Sequence, residues 1–273
     1  MDLAALAAGL RYSGLAIGLW SLLSTLEWFA QLRAFAPGGL LAWDVLALRP
    51  GRLYQNDWAQ KLYSPTGMIA ILSVRLAAAL VLLVAPGPQT ALLALTATIA
   101  MSLLMALRLP VSDGADKMGM VAACGAALAA AGVLRQDWML GFAGVLWSSG
   151  QLALAYVMSG YVKLISRGWR DGSVLLPIMS THSQGAAWAA RAVAAVPRLA
   201  LPFSWLVIVT ELLFPLALML PFAGLVTVLA FFALFHFAIA CIMGLNTYFW
   251  AFVATYPSVV ILSTVLRRSL GLG

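Results

Sequence analysis

The stretch 222–243, FAGLVTVLAFFALFHFAIACIM, is 22 residues long and contains one histidine, His236, and no Asp, Glu, Lys or Arg. A helix needs about 20 predominantly apolar residues to cross the hydrocarbon core of a bilayer. The whole chain is also strongly apolar: 63% of its 273 residues are hydrophobic and only 9% are charged. Soluble domains are about a quarter charged, so the composition excludes a soluble globular protein and predicts an integral membrane protein.

The predicted fold is all-α: one polytopic helical bundle over residues 1–273, with about eight transmembrane helices and short interfacial segments. Helices are expected because every backbone polar group in hydrocarbon must be satisfied within its own segment. The first apolar stretch lacks a basic n-region and a cleavage site, so we expect a retained span. The candidate helices, bounded by Pro, Gly or charge, are 3–32, 66–85, 89–108, 117–134, 138–164, 200–220, 222–243 and 246–265.

The two long connections, 33–65 and 165–199, fall on the same side of such a bundle, here called side A. Side A holds eleven of the sixteen Lys and Arg residues, which predicts by the positive-inside rule that it is cytoplasmic. Residues 39–50 and 186–198 are too short to span and are expected to lie along the membrane surface over the mouths of the helices. The spread of the basic residues favours anionic lipid headgroups and argues against nucleic acid as a partner.

Ionisable residues inside the spans are the candidates for function, because each costs free energy in hydrocarbon unless it is paired or hydrated. One alternative for Glu27 or Glu211 is a structural ion pair with Arg75. His236 lies among phenylalanines, where a histidine is more often a hydrogen-bonded packing residue. No Cys or His has a partner at metal-ligand spacing, so no metal site is predicted. The candidates are Arg11, Glu27, Arg75, Asp116, Lys117, Lys163, Glu211 and His236.

Lys163 ends an apolar helix just before Arg167 and Arg170. Its ammonium could extend to the interface with no further role. Alternatively, desolvation beside the two arginines would lower its pKa and make it a general base near neutral pH. Spacing alone favours the first interpretation.

One part of the chain resembles a known family. The segment 150–164, GQLALAYVMSGYVKL, followed by Trp169 and Gly172, is similar to the membrane domain of vitamin K-dependent gamma-carboxylases and of the bacterial horizontally transferred transmembrane (HTTM) proteins. The family pattern is Gly-Gln, a Tyr five positions later, Gly, then Lys-Leu and Trp. Phe235-His236, Met243-Gly244 and the aromatic run 248–250 extend the resemblance over most of the chain.

The resemblance implies a small bacterial member of this family in the inner membrane. In the carboxylases the lysine matched by Lys163 is the base that deprotonates vitamin K hydroquinone, which implies a quinone or hydroquinone as a possible cofactor here. Two departures concern the site: no histidine stands near Asp116-Lys117, where the family has one, and Lys163 is one residue further from its tryptophan. The carboxylase site also opens to the exoplasmic side, whereas the positive-inside rule places Lys163 on the cytoplasmic side of the membrane.

Two functional hypotheses follow. The first is a membrane enzyme acting on a lipid-soluble or peptide substrate, with a side-A cavity in which Lys163, His236 and Glu211 are catalytic. The residues expected to bind its substrate are Asp116, Lys117, Gln151, Tyr156 and Trp169. The second is a non-catalytic or accessory subunit, which works with a partner membrane or soluble protein, for example in the maturation or export of a secreted peptide.

Overall fold

The computed structural model describes residues 3–48, 56–85, 87–109, 113–181 and 185–272. These ranges contain helices and no strand, which confirms the prediction of an all-α polytopic bundle. They include eight helical segments long and apolar enough to cross a membrane, with ends within a few residues of the predicted ones. The segments are Leu3–Ala30, Pro65–Leu83, Pro88–Arg108, Gly114–Arg135, Trp138–Ile165, Pro197–Met219, Phe222–Met243 and Asn246–Ser269.

Short helices fill the connections between these segments. In chain order the α-helices are α1 Leu3–Ala30, α2 Trp43–Leu46, α3 Asp57–Leu62, α4 Pro65–Leu83, α5 Pro88–Arg108, α6 Gly114–Arg135, α7 Trp138–Ile165, α8 Arg167–Arg170, α9 Leu175–Met179, α10 Ala187–Ala195, α11 Ala200–Leu213, α12 Phe222–Met243, α13 Asn246–Val253 and α14 Tyr256–Ser269. In the described ranges, 3₁₀ helices accompany them at Leu32–Phe35, Pro197–Leu199 and Phe214–Met219.

Local chemistry explains where the long helices begin and end. The carboxylates of Asp113 and Asp137 accept hydrogen bonds from the backbone N–H of Asp116 and Leu140, at 2.8 and 3.1 Å, and so cap α6 and α7. Gly244 has φ +68° and ends α12, because glycine adopts the left-handed conformation without steric cost.

The sixth and eighth spans are not continuous α-helices. In the sixth, α11 ends at Leu213 and the chain continues as the 3₁₀ helix Phe214–Met219. Pro215 has no N–H to donate to the carbonyl of Glu211, so the regular ladder stops there. The eighth span is interrupted between α13 and α14, at Ala254 and Thr255, just before Pro257. The break in the sixth span leaves Glu211 in the last turn of α11.

The first connection, 33–65, packs against the bundle. The predicted surface segment 39–50 is described only to residue 48, and Arg49 and Arg52 lie outside the described residues. The described part forms α2, whose Trp43 and Leu46 are buried against Met68 and Leu72 of α4. Its two large apolar side chains thus pack on the bundle, while the position of the segment along the membrane surface stays a prediction. The other predicted segment, 186–198, forms α10 and the 3₁₀ helix Pro197–Leu199.

Candidate functional site

Lys163 and Glu211 form a salt bridge within the bundle. The lysine Nζ lies 2.7 Å from Oε2 and 2.9 Å from Oε1 of the glutamate, and it donates to Ser159 Oγ at 2.5 Å. Ser159 in turn donates to Glu211 Oε1 at 3.2 Å. The three side chains therefore form a closed polar cluster that joins α7 to α11.

The cluster is shielded from the surroundings. The Lys163 side chain is 16% exposed and that of Glu211 is 4% exposed. The Lys163 Nζ lies 5.3 Å from the centre of the Trp169 ring, which gives it a cation–π contact. The amine therefore points inward to a carboxylate. This geometry does not fit the interpretation in which the ammonium extends to the membrane interface.

The two arginines that follow Lys163 do not surround it. Arg167 is 94% exposed, and its Nε lies 3.9 Å from Oδ2 of Asp171. Hydrogen bonds from the side chain and backbone N–H of Ser173 lower the pKa of Asp171, which helps to keep that exposed carboxylate charged. Thus Glu211, and not an arginine pair, is the ionic neighbour of Lys163.

A second polar pair lies nearby on α7 and α12. The hydroxyl of Tyr156 and Nε2 of His236 are 3.0 Å apart, and both residues are buried. The His236 ring stacks on Phe252 with a centroid distance of 3.9 Å. Its Nδ1 is buried and has no hydrogen-bond partner among the described residues. Nε2 is therefore paired with the Tyr156 hydroxyl, whereas Nδ1 is enclosed by protein atoms.

One cavity of about 340 Å³ brings these groups together. Of the eight predicted site residues, five line it: Lys163, Glu211, His236, Tyr156 and Trp169. The rest of its wall is largely apolar and comes from α7, α9, α11, α12 and α13, with Ala155, Ser159, Leu175, Ile178, Met179, Phe203, Val207, Phe235, Ala238, Ile239, Ile242, Met243, Tyr248 and Phe252. The volume lies within the range of small-molecule sites.

The cavity lies between α11 and α12, which diverge from their shared turn. α11 packs against α7, whereas α12 packs against α13, so the two helices leave a gap between them. A second groove of about 470 Å³ follows the same pair of helices toward the turn at Pro221. Phe214 and Phe232 line that groove and pack on Tyr156, with centroid distances of 4.6 and 4.2 Å. This aromatic cluster separates the groove from the cavity.

The remaining three predicted site residues lie elsewhere. Asp116 and Lys117 are in the first turn of α6 and line a different, much smaller chamber beside Arg75. Gln151 precedes Tyr156 by five residues, which turns it about 140° around the axis of α7, and it is not among the residues that line the cavity. The prediction that all eight share one site is thus corrected, because helical phase and the position of α6 separate these three from the others.

The structural ion pair considered for Arg75 is also absent from the described residues. Glu211 pairs with Lys163, and the amide of Asn246 donates to Glu27 at 3.4 Å. Arg75 donates to Ser24 at 3.0 Å and lies 5.0 Å from the centre of the Trp20 ring. Ser159 was missed as a site residue, although its position four residues before Lys163 places it on the same helix face.

Fold and site together define a polytopic membrane protein with a buried Lys–Glu pair on an apolar cavity. Comparison of the chain with profiles of known protein families, with curated proteins and with solved structures finds no match.

Proposed function

We propose that this protein is a membrane enzyme in which the Lys163–Glu211 pair exchanges a proton with a lipid-soluble substrate. The observation that supports this most strongly is the position of the pair. Two ionisable groups from different helices meet at the wall of a cavity large enough for a small molecule. A purely structural ion pair needs no such space beside it.

The pair is suited to proton transfer because its two members can share one proton. With the lysine as ammonium, the Glu211 carboxylate is the group that can accept a proton from a substrate. When the proton moves across the 2.7 Å contact, the neutral amine of Lys163 becomes the acceptor. Ser159 bonds to both groups and holds them in place. The base function predicted for Lys163 is thus proposed here for the pair.

The surroundings favour a substrate that arrives from the bilayer. Phe203 lies on the wall of the cavity and is 46% exposed, which supports an opening of the cavity beside α11. The gap between α11 and α12 provides a route for an apolar molecule that never enters water. The Tyr156–His236 pair lies on the same cavity as a second polar element besides the Lys–Glu pair. A substrate with two separated polar groups on an apolar frame fits these features.

The resemblance to the HTTM and gamma-carboxylase membrane domains supports a quinone or hydroquinone as the molecule that binds here. The residues present fit a flat ring: Trp169, Tyr248 and Phe252 line the cavity with aromatic side chains, and the amine of Lys163 can donate a hydrogen bond to a ring oxygen. A bound hydroquinone would supply an acidic hydroxyl and two reducing equivalents. We propose a bacterial inner membrane location on the same resemblance.

The test compares lipid extracts from cells that express the wild-type protein, Lys163→Ala or Lys61→Ala at matched levels. Lys61 lies at the end of α3, outside the cavity, and serves as the control. Mass spectrometry should show a lipid-soluble species consumed or formed in the wild type and the control, with a rate at least about 100-fold lower in Lys163→Ala. Purification in mild detergent should recover a small apolar molecule with the wild-type protein.

Two results would contradict the proposal. One is an unchanged lipid profile when Lys163→Ala is folded and expressed at the wild-type level. The other is a stoichiometric protein partner that co-purifies while no lipid-soluble species depends on Lys163. That second result would favour the accessory-subunit hypothesis.

A further inference from the structure

The ring of Trp169 lies over the amine of Lys163, beside the end of α7. The Lys163 Nζ is 5.3 Å from the centre of the ring, and both residues line the cavity. The sequence predicted that Trp169 binds the substrate. In the structure the ring already contacts a charged group of the protein, so its role requires an explanation that includes this contact.

The turn that carries Trp169 is fixed to α11 at two points. The indole N–H of Trp205 donates to the backbone carbonyl of Arg170 at 3.1 Å. Gly172 has φ +76°, which glycine adopts without strain, and a Cβ added to it would lie 2.8 Å from the backbone N of Leu201. Both Trp205 and Leu201 belong to α11. One helix therefore carries the carboxylate of the salt bridge and also supports the turn that holds the ring.

Trp169 is the large side chain of α8 that lines the cavity. Arg167 and Arg170, on the same short helix, are both exposed, and Arg167 is 94% exposed. Thus α8 places an aromatic ring beside the ammonium of Lys163 and leaves its own two charges on the outside.

The contact favours one arrangement of the Lys163–Glu211 pair. An aromatic face attracts a cation, and the attraction is stronger where water is excluded. The Lys163 side chain is 16% exposed, so little water competes with the ring. A neutral amine gains no comparable attraction, because it carries no net charge. The ring therefore favours an ammonium at Lys163 beside a carboxylate at Glu211.

We infer that Trp169 is a positioning residue, which holds the Lys163 ammonium against Glu211 and so keeps the Glu211 carboxylate as the proton acceptor. This role rests on the proposed function and assigns the base within the pair. The proton passes from the substrate to a carboxylate oxygen of Glu211, and the ammonium then lies beside the anion that remains. The aromatic ring is the part of Trp169 that matters, and its N–H is not needed.

The first experiment measures acetylation of Lys163 by the water-soluble reagent sulfosuccinimidyl acetate in the detergent-purified protein, with peptide mass spectrometry. The reagent attacks a free neutral amine, so an ammonium between a ring and a carboxylate is protected. Trp169→Leu should raise the acetylation rate about fivefold or more, whereas Trp169→Phe keeps a ring and should stay within about twofold of the wild type. Exposed Lys61 on α3 is the internal standard. Equal rates at Lys163 in all three proteins would overturn the inference.

The second experiment measures turnover of the same variants in the lipid-extract assay. The rate should fall about tenfold in Trp169→Leu and less than about threefold in Trp169→Phe, because only the first loses the ring. Trp188→Leu is the matched control, since Trp188 lies on α10, is 54% exposed and does not line the cavity. If Trp169→Leu does not fold, Trp169→Met fills more of the space without a ring and repeats the test.

Two outcomes separate this inference from the proposed function. If acetylation follows the ring while no lipid-soluble species depends on Lys163, the positioning contact is supported and the proposed function fails. If turnover requires Lys163 but is the same in Trp169→Leu as in the wild type, the proposed function stands and the role of Trp169 is refuted.

Discussion

Two buried cations, Lys163 and Arg108, lie in chemically different surroundings. Lys163 contacts a carboxylate and a hydroxyl on the wall of a cavity. Arg108 is 0% exposed and donates to the backbone carbonyls of Tyr63 and Leu41, at 2.9 and 2.6 Å. Its guanidinium also lies 4.9 Å from the centre of the Phe35 ring. Arg108 lines none of the cavities described above.

The difference shows that a buried charge is not by itself evidence of a functional site. Arg108 joins the first connection to α5 through two backbone carbonyls and aromatic faces, which is a structural role. Lys163 is paired with the carboxylate of Glu211, which can itself titrate. The cavity leaves space for a ligand beside Lys163 and Glu211. The comparison predicts that Arg108 is needed for stability, whereas the Lys163–Glu211 pair is needed for turnover.

The largest effect on stability is expected from Arg108→Ala. The substitution leaves two buried carbonyl oxygens without their donor and removes the packing on Phe35, so we expect a loss of about 3–5 kcal/mol in unfolding free energy. Denaturant unfolding in detergent or bicelles measures it. Arg33→Ala, at an exposed position in the 3₁₀ helix Leu32–Phe35, is the control and should change stability by less than about 0.5 kcal/mol. A loss below about 1 kcal/mol for Arg108→Ala would show that the arginine does not hold the connection.

A double substitution distinguishes a structural pair from a functional one. Lys163→Met leaves the buried Glu211 carboxylate unpaired and should cost about 3 kcal/mol. Lys163→Met/Glu211→Leu removes both charges and should return stability to within about 1 kcal/mol of the wild type, because apolar side chains avoid the desolvation penalty. The same double variant should have no turnover in the lipid-extract assay. A double variant as unstable as the single one would assign the pair to structure.

The helices and the five predicted residues that line the cavity could be indicated from the sequence for different reasons. Hydropathy is a property of each segment on its own, so all eight spans could be found without knowledge of their neighbours. Lys163, Tyr156 and Trp169 come from one stretch of chain, and the family resemblance indicated them together. Neither source could show that Glu211 is the partner of Lys163, since 48 residues separate them and only the packing of α11 on α7 joins them.

The errors have the same physical origin. Asp116 and Lys117 were expected in the cavity because they lie on side A, but α6 carries them to the chamber beside Arg75. Arg75 was expected to face a carboxylate, and instead it contacts Ser24 and Trp20 of α1. Which helix packs on which is a long-range property, and neither charge nor periodicity encodes it in one sequence.

A third prediction concerns the packing of α6 on α1. Gly119 of α6 lies against Trp20 of α1, so closely that an added Cβ would overlap the indole ring. Gly119→Ala should therefore destabilise the protein by about 1–3 kcal/mol. Gly150→Ala on α7 is the matched control, because nothing lies within 4 Å of the Cβ it would add, and it should be neutral or slightly stabilising. Equal effects of the two substitutions would mean that α1 and α6 are not in close contact.

The smallest effect is expected from Ser159→Ala. Its hydroxyl accepts from Lys163 and donates to Glu211, so its loss should cost about 1 kcal/mol of stability while the salt bridge persists. If the hydroxyl positions the pair for proton transfer, turnover should fall about tenfold with little change in KM. Ser204→Ala on α11 is the control, since its buried hydroxyl has no partner among the described residues. Unchanged turnover in Ser159→Ala would limit the serine to a packing role, because a positioning residue must affect the rate of the chemical step more than the affinity for substrate.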